Sequence, residues 1–186
     1  MRIIAGSAKG TRLGPVPDGT RPVSDRAREG LFASLGEAVA QAVVLDLFAG
    51  TGALGIEALS RGATSAVFVD RSRVAARAIR ANLQLTGLTE LGRVIVADVP
   101  AYVRERPPGT APFDLVFLDP PYQADARSLT QVLGALDRGW LAPGWTVVVT
   151  RGHKGPLPAP PLHWNARRQL RYGDSLLICY REVAWA

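Results

Sequence analysis

The chain has one cysteine, one methionine and two histidines in 186 residues. A lone thiol, Cys179, excludes a disulfide framework and fits a reducing compartment. Long apolar runs are missing too. The longest uncharged stretches, Gly139–Thr150 and Gly155–Ala166, are 12 residues each and contain proline and glycine. A membrane span takes about 17 residues or more, so no membrane partner is expected. Only six residues separate Met1-Arg2 from Lys9, too few for the apolar part of a secretion signal. A cytoplasmic location is expected. Nothing in the residue types gathers a metal-ligand set, and none is assigned.

What is present is a 47% apolar fraction, which excludes disorder. The length suits one globular domain with room for a small appendage. A chain of this size buries about 70% of its extended surface, enough to fold without staples. The formal charge is +6, unevenly spread. Residues 1–30 carry net +3, residues 31–150 net −1 and residues 151–186 net +4. A basic surface at the two ends would meet a polyanion such as nucleic acid. Of the 22 cations 20 are arginine, so compositional bias is the competing explanation.

The middle alternates β-rich and helical patterns. Ala42–Asp46, Ser65–Asp70, Arg93–Ala97, Phe113–Leu118 and Thr146–Arg151 read as strands. Ala53–Arg61, Arg71–Thr86 and Asp125–Arg138 read as helices. Val74, Ala75, Ala78, Ile79 and Leu83 form the expected apolar face of the second helix, and Gly87 its stop. Such alternation implies right-handed crossovers and a mostly parallel, doubly wound α/β sheet. Trp164–Tyr172 and Ser175–Glu182, joined by Gly173-Asp174, predict an antiparallel hairpin at the end. Near the start, Arg2–Ala5 and Thr11–Leu13 predict short strands. Ser24 or Asp25 then caps a helix to about Leu35, with Leu31, Phe32 and Leu35 buried.

Gly50, Gly52 and Gly55 follow the first strand as GxGxxG, with Asp70 twenty residues beyond Gly50. The spacing matches a dinucleotide fingerprint, so a nicotinamide enzyme is one reading. Asp46, before the turn, argues for another. A carboxylate there repels a pyrophosphate and attracts an ammonium or sulfonium group. S-adenosylmethionine carries both. Asp70 is placed for ribose hydroxyls and Asp98 for an adenine amino group. Each acid also has a purely structural reading: Asp46 as a helix-capping acid, Asp70 as the cap of the Arg71 helix, Asp98 as the cap of a helix beginning at Val99-Pro100. Three acids at carboxyl strand ends together favour a ligand, because open α/β sheets bind there.

Asp119-Pro120-Pro121-Tyr122 follows the fourth strand. Two prolines fix two φ angles and remove two N–H donors. The corner therefore offers rigid acceptors beside a stacking ring. A planar base bearing an NH₂ group needs that combination.

Asp46–Gly52 (DLFAGTG) resembles motif I of class I S-adenosylmethionine-dependent methyltransferases, and Asp119–Tyr122 (DPPY) resembles the catalytic motif of amino-methyltransferases. Met1–Gly6, Lys9-Gly10, the Thr20–Glu29 stretch and Leu31-Phe32 are similar to the RsmD family of 16S rRNA guanine-N2 methyltransferases. The likeness runs to about Arg181. Val23, where that family usually has threonine, and Ala33-Ser34, where asparagine often follows the phenylalanine, depart from it. The resemblance implies a Rossmann-like, seven-stranded sheet with an antiparallel last strand, made by residues 31–186, and a recognition extension of residues 1–30. It implies catalysis by Asp119, Pro120, Pro121 and Tyr122. It places the cofactor, S-adenosyl-L-methionine, on Asp46, Phe48, Ala49, Gly50, Thr51, Gly52, Asp70, Arg71, Asp98 and Val99. The substrate would be 16S rRNA, free or within the small ribosomal subunit, met by a monomer. Arg2, Lys9, Arg12, Arg21, Arg26, Arg28, Arg151, Lys154, Arg167, Arg168 and, nearby, Arg171 are the candidate phosphate contacts. A DNA-adenine or protein-glutamine methyltransferase, and a non-enzymatic RNA-binding module, are the competing classes.

Overall fold

The computed structural model describes residues 1–15, 23–105, 110–121, 123–152 and 155–182. Seven strands form one sheet: β1 Val43–Leu47, β2 Ser65–Asp70, β3 Gly92–Val96, β4 Phe113–Leu118, β5 Leu141–Gly152, β6 Trp164–Tyr172 and β7 Ser175–Glu182. Their spatial order is β3-β2-β1-β4-β5-β7-β6. β1 to β5 pair in parallel, while β7 runs antiparallel to both β5 and β6. The doubly wound sheet with an antiparallel last strand is the expected one.

Among the described residues five α-helices cross over or flank it: α1 Asp25–Leu35, α2 Ala53–Ser60, α3 Arg73–Thr86, α4 Val99–Arg104 and α5 Ala126–Leu136. Their starts are locally encoded. Ser24, Ser72, Asp98 and Asp125 each accept a backbone N–H of the following turn, which satisfies donors that a helix start leaves open. Ser72, not Asp70, therefore caps α3, which begins two residues later than expected. Its buried side is Ala75, Ala76, Ile79, Asn82 and Leu83, and Val74 is half-exposed. Asn82 draws the helix round by donating to the Thr51 carbonyl at 2.9 Å and accepting from Gly14 N at 2.8 Å. β5 starts five residues earlier than expected. Pro143 and Gly144 disguised that start, and the β4–β5 register shifts between Phe113 and Leu115 to absorb it.

Two apolar clusters cover the faces of the sheet. One joins Phe68, Phe117 and Val148 to α2, α3 and the first 35 residues. The other joins Leu47, Leu118 and Val149 to α4, α5 and three tryptophans. The expected pair of strands near the start is reduced to one antiparallel bridge, Arg2 to Arg12.

The N-terminal segment is tied down by polar groups as well. Glu57, fully buried in α2, accepts from Ile4 N at 2.8 Å and Ala5 N at 3.1 Å. It also pairs with Arg61 at 2.7 Å and Arg28 at 3.9 Å. Ser60 accepts from Ala8 N at 3.0 Å, and its hydroxyl donates to the Ala5 carbonyl at 2.6 Å. Gly6, at φ 85°, lies directly on the Ser60 backbone, where any Cβ would collide. Residues 4–8 thus sit on the last turn of α2, and Gly14 reaches the Thr51–Asn82 pair beside its first.

Arg28 corrects one expectation. Its side chain is 0% exposed, so it is not a surface phosphate contact. It donates to the Arg2 carbonyl at 2.6 Å and to Asp25 at 2.7 Å. Glu57→Ala would leave two amide donors without their acceptor and take the buried carboxylate from between Arg28 and Arg61. The expected loss is about 3–5 kcal/mol in urea unfolding. Asp25→Ala removes a half-exposed partner and should cost under about 1 kcal/mol. A Glu57→Ala protein within about 1 kcal/mol of wild type would contradict the role given to Glu57.

Candidate active site

The carboxyl ends of β1, β2, β3 and β4 lie side by side, because parallel pairing sets Leu47 against Val69 and Leu118, and Asp70 against Val96. The residues that follow converge there. After β1 the chain turns sharply. Phe48, Gly50 and Gly52 have φ of 59°, 56° and 76°, the left-handed region that glycine enters without strain. For Phe48 this conformation is costly, and its neighbours hold it: Ala49 N donates to the Val69 carbonyl at 3.2 Å, and Gly52 N to the Ala49 carbonyl at 2.7 Å. A side chain at Gly52 would press on Ile79 and Ile56, whereas Gly50 faces open space. The turn is a backbone cradle that a bulky residue would fill.

Carboxylates pin the cradle. Asp70 Oδ2 accepts from Gly50 N at 2.9 Å, and its Oδ1 from Ser72 N at 2.8 Å. Asp46 Oδ2 accepts from Gly55 N at 2.9 Å. The capping reading of Asp46 is therefore what the structure shows, a carboxyl group under the first turn of α2. Asp46 is 1% exposed, so any effect on a ligand travels through its field. Burial pushes its pKa well up, the Gly55 hydrogen bond opposes that, and the charges of Asp119 and Asp70 raise it further. Asp46 thus feels both other acids of this edge, and a cation placed there would favour its charged form.

Asp119 follows β4 directly, and its N–H donates to the Leu47 carbonyl at 3.3 Å. Pro120 is buried and Pro121 exposed. Since Leu118 pairs with Val149, the next residues, Asp119 and Thr150, fall side by side on one face. Burial raises the Asp119 carboxyl to about 7, and the Thr150 hydroxyl pulls the other way. That hydroxyl is itself buried and completes no hydrogen bond of normal geometry. Asp119 is thus half-charged near neutrality, an acceptor when ionised and a donor when not.

The remaining candidates divide. Asp98 is exposed and caps α4 through Ala101 N at 3.1 Å. Arg71 is exposed and Val99 buried in the first turn of α4, while Thr51 is buried. Arg2, Lys9, Arg12, Arg26, Arg167, Arg168 and Arg171 are exposed. The last three stand on β6, an edge strand, where charge also discourages pairing with another chain. Arg168 donates to Ser34 at 3.0 Å. Tyr122, Arg21 and Lys154 lie outside the described residues.

Arg151 is the second correction. It is 2% exposed, so it does not face a phosphate. It donates to the carbonyls of Ala124 at 3.1 Å and of Pro121 and Pro156 at 3.5 Å each. Sequence reasoning also missed Thr150, Glu57 and Asn82. Their signal was a polar residue inside an apolar pattern: TVVVT for Thr150, ALGIEALS for Glu57, the Ile79–Leu83 face for Asn82.

Residues 1–181 match the family described as Conserved hypothetical protein 95. Ribosomal RNA small subunit methyltransferase D of Escherichia coli strain K12 is 36% identical over 187 residues, 99% of this chain and 91% of that protein. The solved structure of Escherichia coli yhhF has a TM-score of 0.86 at 35% identity, covering 100% of this chain and 99% of that one. A hypothetical protein of Thermus thermophilus has a TM-score of 0.81 at 32% identity, covering 96% and 98%.

The raised Asp119 pKa makes a stability prediction. Between the unfolded value near 4 and about 7, the folded state holds a proton that the unfolded state has lost. Stability from this group therefore falls as pH rises through that window. Asp119→Asn should match wild type near pH 4 and exceed it by up to about 4 kcal/mol at pH 8, read from urea midpoints of the ligand-free protein. Equal midpoints at pH 8 would show that the carboxyl is not held up by burial.

Proposed function

The chain belongs to the Conserved hypothetical protein 95 family, the RsmD family, and from that premise we propose that it methylates the exocyclic N2 of a guanine in 16S rRNA. The methyl donor is S-adenosyl-L-methionine. The observation that carries the reading is the juxtaposition of Asp119, on its proline-fixed corner, with the carboxylate-pinned glycine turn.

The residues present fit the donor. The turn at Phe48, Ala49, Gly50, Thr51 and Gly52 admits a ligand against the backbone. Asp70 and Asp98 stand at successive strand ends, and Arg71 and Val99 flank them. The like-charged acids Asp46, Asp70 and Asp119 favour a ligand bearing positive charge over a pyrophosphate, which disfavours the nicotinamide alternative. When bound, S-adenosylmethionine supplies an electrophilic methyl group on a sulfonium.

The protein's task is to prepare the nucleophile. The lone pair of a guanine amino group is delocalised into the ring. Asp119 as carboxylate and the Pro120 carbonyl accept the two hydrogens and turn the lone pair toward the donor. The Pro121 carbonyl is already engaged by Ala124 N at 2.9 Å and by Arg151, so it is not available for this. Neither proline carries an N–H to compete for the lone pair. Positioning supplies most of the rate, with effective molarities of roughly 10⁵ M or more. Asp119 also offsets the positive charge that develops on nitrogen. It then takes the proton, which the methylated nitrogen gives up readily. Tyr122, next in sequence, is the proposed stacking ring.

The exposed cations Arg2, Lys9, Arg12, Arg26, Arg167, Arg168 and Arg171, with Arg21 and Lys154, form the proposed phosphate-binding set. A small ribosomal subunit or its precursor is the proposed particle, met by a monomer in the cytoplasm, with residues 1–30 as the recognition extension.

The test is methyl transfer to small subunits from a strain lacking this activity, followed by nucleoside analysis. N2-methylguanosine is the expected product, and N6-methyladenosine, or no RNA product, would contradict the proposal. Asp119→Ala should bind S-adenosylhomocysteine as wild type does, yet lose roughly 10²- to 10³-fold in kcat. Near wild-type turnover would remove Asp119 from the mechanism.

A further inference from the structure

Arg151 is an anomaly. It ends the apolar run Thr146–Thr150 of β5 and is buried. Among the described residues no carboxylate pairs with it. A buried guanidinium is ordinarily matched by an acid. This one is matched by three backbone carbonyls, and its Nε has no partner.

Those carbonyls are not scattered. Ala124 N donates to the Pro121 carbonyl at 2.9 Å, closing the turn that follows Asp119 and Pro120. Arg151 holds the carbonyl at each end of that turn, Nη1 on Pro121 and Nη2 on Ala124. Asp125, next in the chain, caps α5 through Ser128 N at 3.0 Å. The turn is therefore fixed to the carboxyl end of β5 on one side and to α5 on the other. Nη2 also reaches the Pro156 carbonyl, so the proline-rich stretch after β5 is drawn to the same point.

We propose that Arg151 is a positioning residue for methyl transfer, its planar guanidinium clamping the Pro121–Ala124 turn so that the Asp119-Pro120 acceptors keep their place. This rests on the function proposed above. A guanidinium suits the task because its N–H groups form a rigid fork, able to hold two carbonyls at once. It has no acceptor of its own to divert the amine. Buried on these carbonyls, it is assigned a role through the turn rather than by contact with a substrate.

The test compares wild type, Arg151→Met and Arg151→Lys. The first readout needs no activity: hydrogen exchange of the Ala124 amide against those of Phe117 and Leu118 in β4. In Arg151→Met the Ala124 amide should exchange at least about tenfold faster while the β4 amides are unchanged, a local opening. The second readout is kinetic. The expected loss in kcat is about 100-fold, the cost of misplacing reacting groups by roughly 1 Å. Affinity for S-adenosylhomocysteine should stay within about twofold of wild type. Arg151→Lys, keeping charge without the fork, should recover part of kcat.

Unchanged Ala124 exchange, or unchanged kcat despite faster exchange, would overturn the clamp. A parallel loss of β4 protection and cofactor affinity would also overturn it, since Arg151 would then be holding the sheet generally. Should Arg151→Met fail to fold, the milder Arg151→Lys carries the same two readouts. A wild-type protein that puts no methyl on guanine N2 defeats the parent reading instead, and the exchange arm tells the two failures apart.

Discussion

Carboxyl groups gathered and buried at one sheet edge are the constraint on which the rest of this structure turns. Asp46, Asp70 and Asp119 end neighbouring parallel strands, and each raises the cost of ionising Asp46 or shares its burial. Water would relieve such a group, but Asp46 is buried. The protein instead gives Asp46 and Asp70 backbone N–H partners at Gly55, Gly50 and Ser72. Those bonds in turn shape the glycine turn and begin α2. Among the described residues no cation forms an ion pair with these three acids. In the function proposed above a cationic ligand complements this edge, and the same field steadies the nitrogen that becomes positive during methyl transfer.

The second structural theme is the burial of polar groups that the fold then has to satisfy. Glu57 collects Ile4, Ala5, Arg61 and Arg28, and so welds the basic N-terminal segment to the helix that starts at the glycine turn. Asn82 does the same at the other end of that helix, joining Gly14 to Thr51. Residues 1–15, fixed this way, are preformed, which suits the recognition role proposed for them, since little ordering entropy is then lost on meeting a polyanion. Arg151 extends the theme to the corner after β4, the proposed catalytic one, with carbonyls in place of acids.

The alternation of strands and helices, the glycine turn after β1 and the proline pair after β4 were legible in the sequence because each is written in short-range chemistry: apolar runs bounded by turns, glycines where φ must be positive, two prolines that remove donors. Burial of charged residues was not. Arg28 and Arg151 look like their exposed neighbours in the chain. What separates them is a carbonyl 26 residues away for Arg28, and carbonyls 27 and 30 residues away for Arg151. The apolar face of α3 was misjudged for a related reason. Asn82 is turned inward by two backbone groups distant in sequence, which leaves Val74 half-exposed and Ala76 covered. Asp46 had two readings on sequence grounds, and the structure shows the capping one while leaving its charge where a cation would feel it.

The most direct measurement of that central claim is calorimetric affinity for S-adenosylmethionine and for S-adenosylhomocysteine between pH 6 and 8. The two differ by the sulfonium charge. A carboxyl held near pKa 7 in the free protein must lose its proton to favour the cation, so affinity for S-adenosylmethionine should rise by up to about tenfold toward pH 8 and level off. S-adenosylhomocysteine should change far less, and proton release should accompany only the charged ligand. Identical pH profiles for the two would contradict the account.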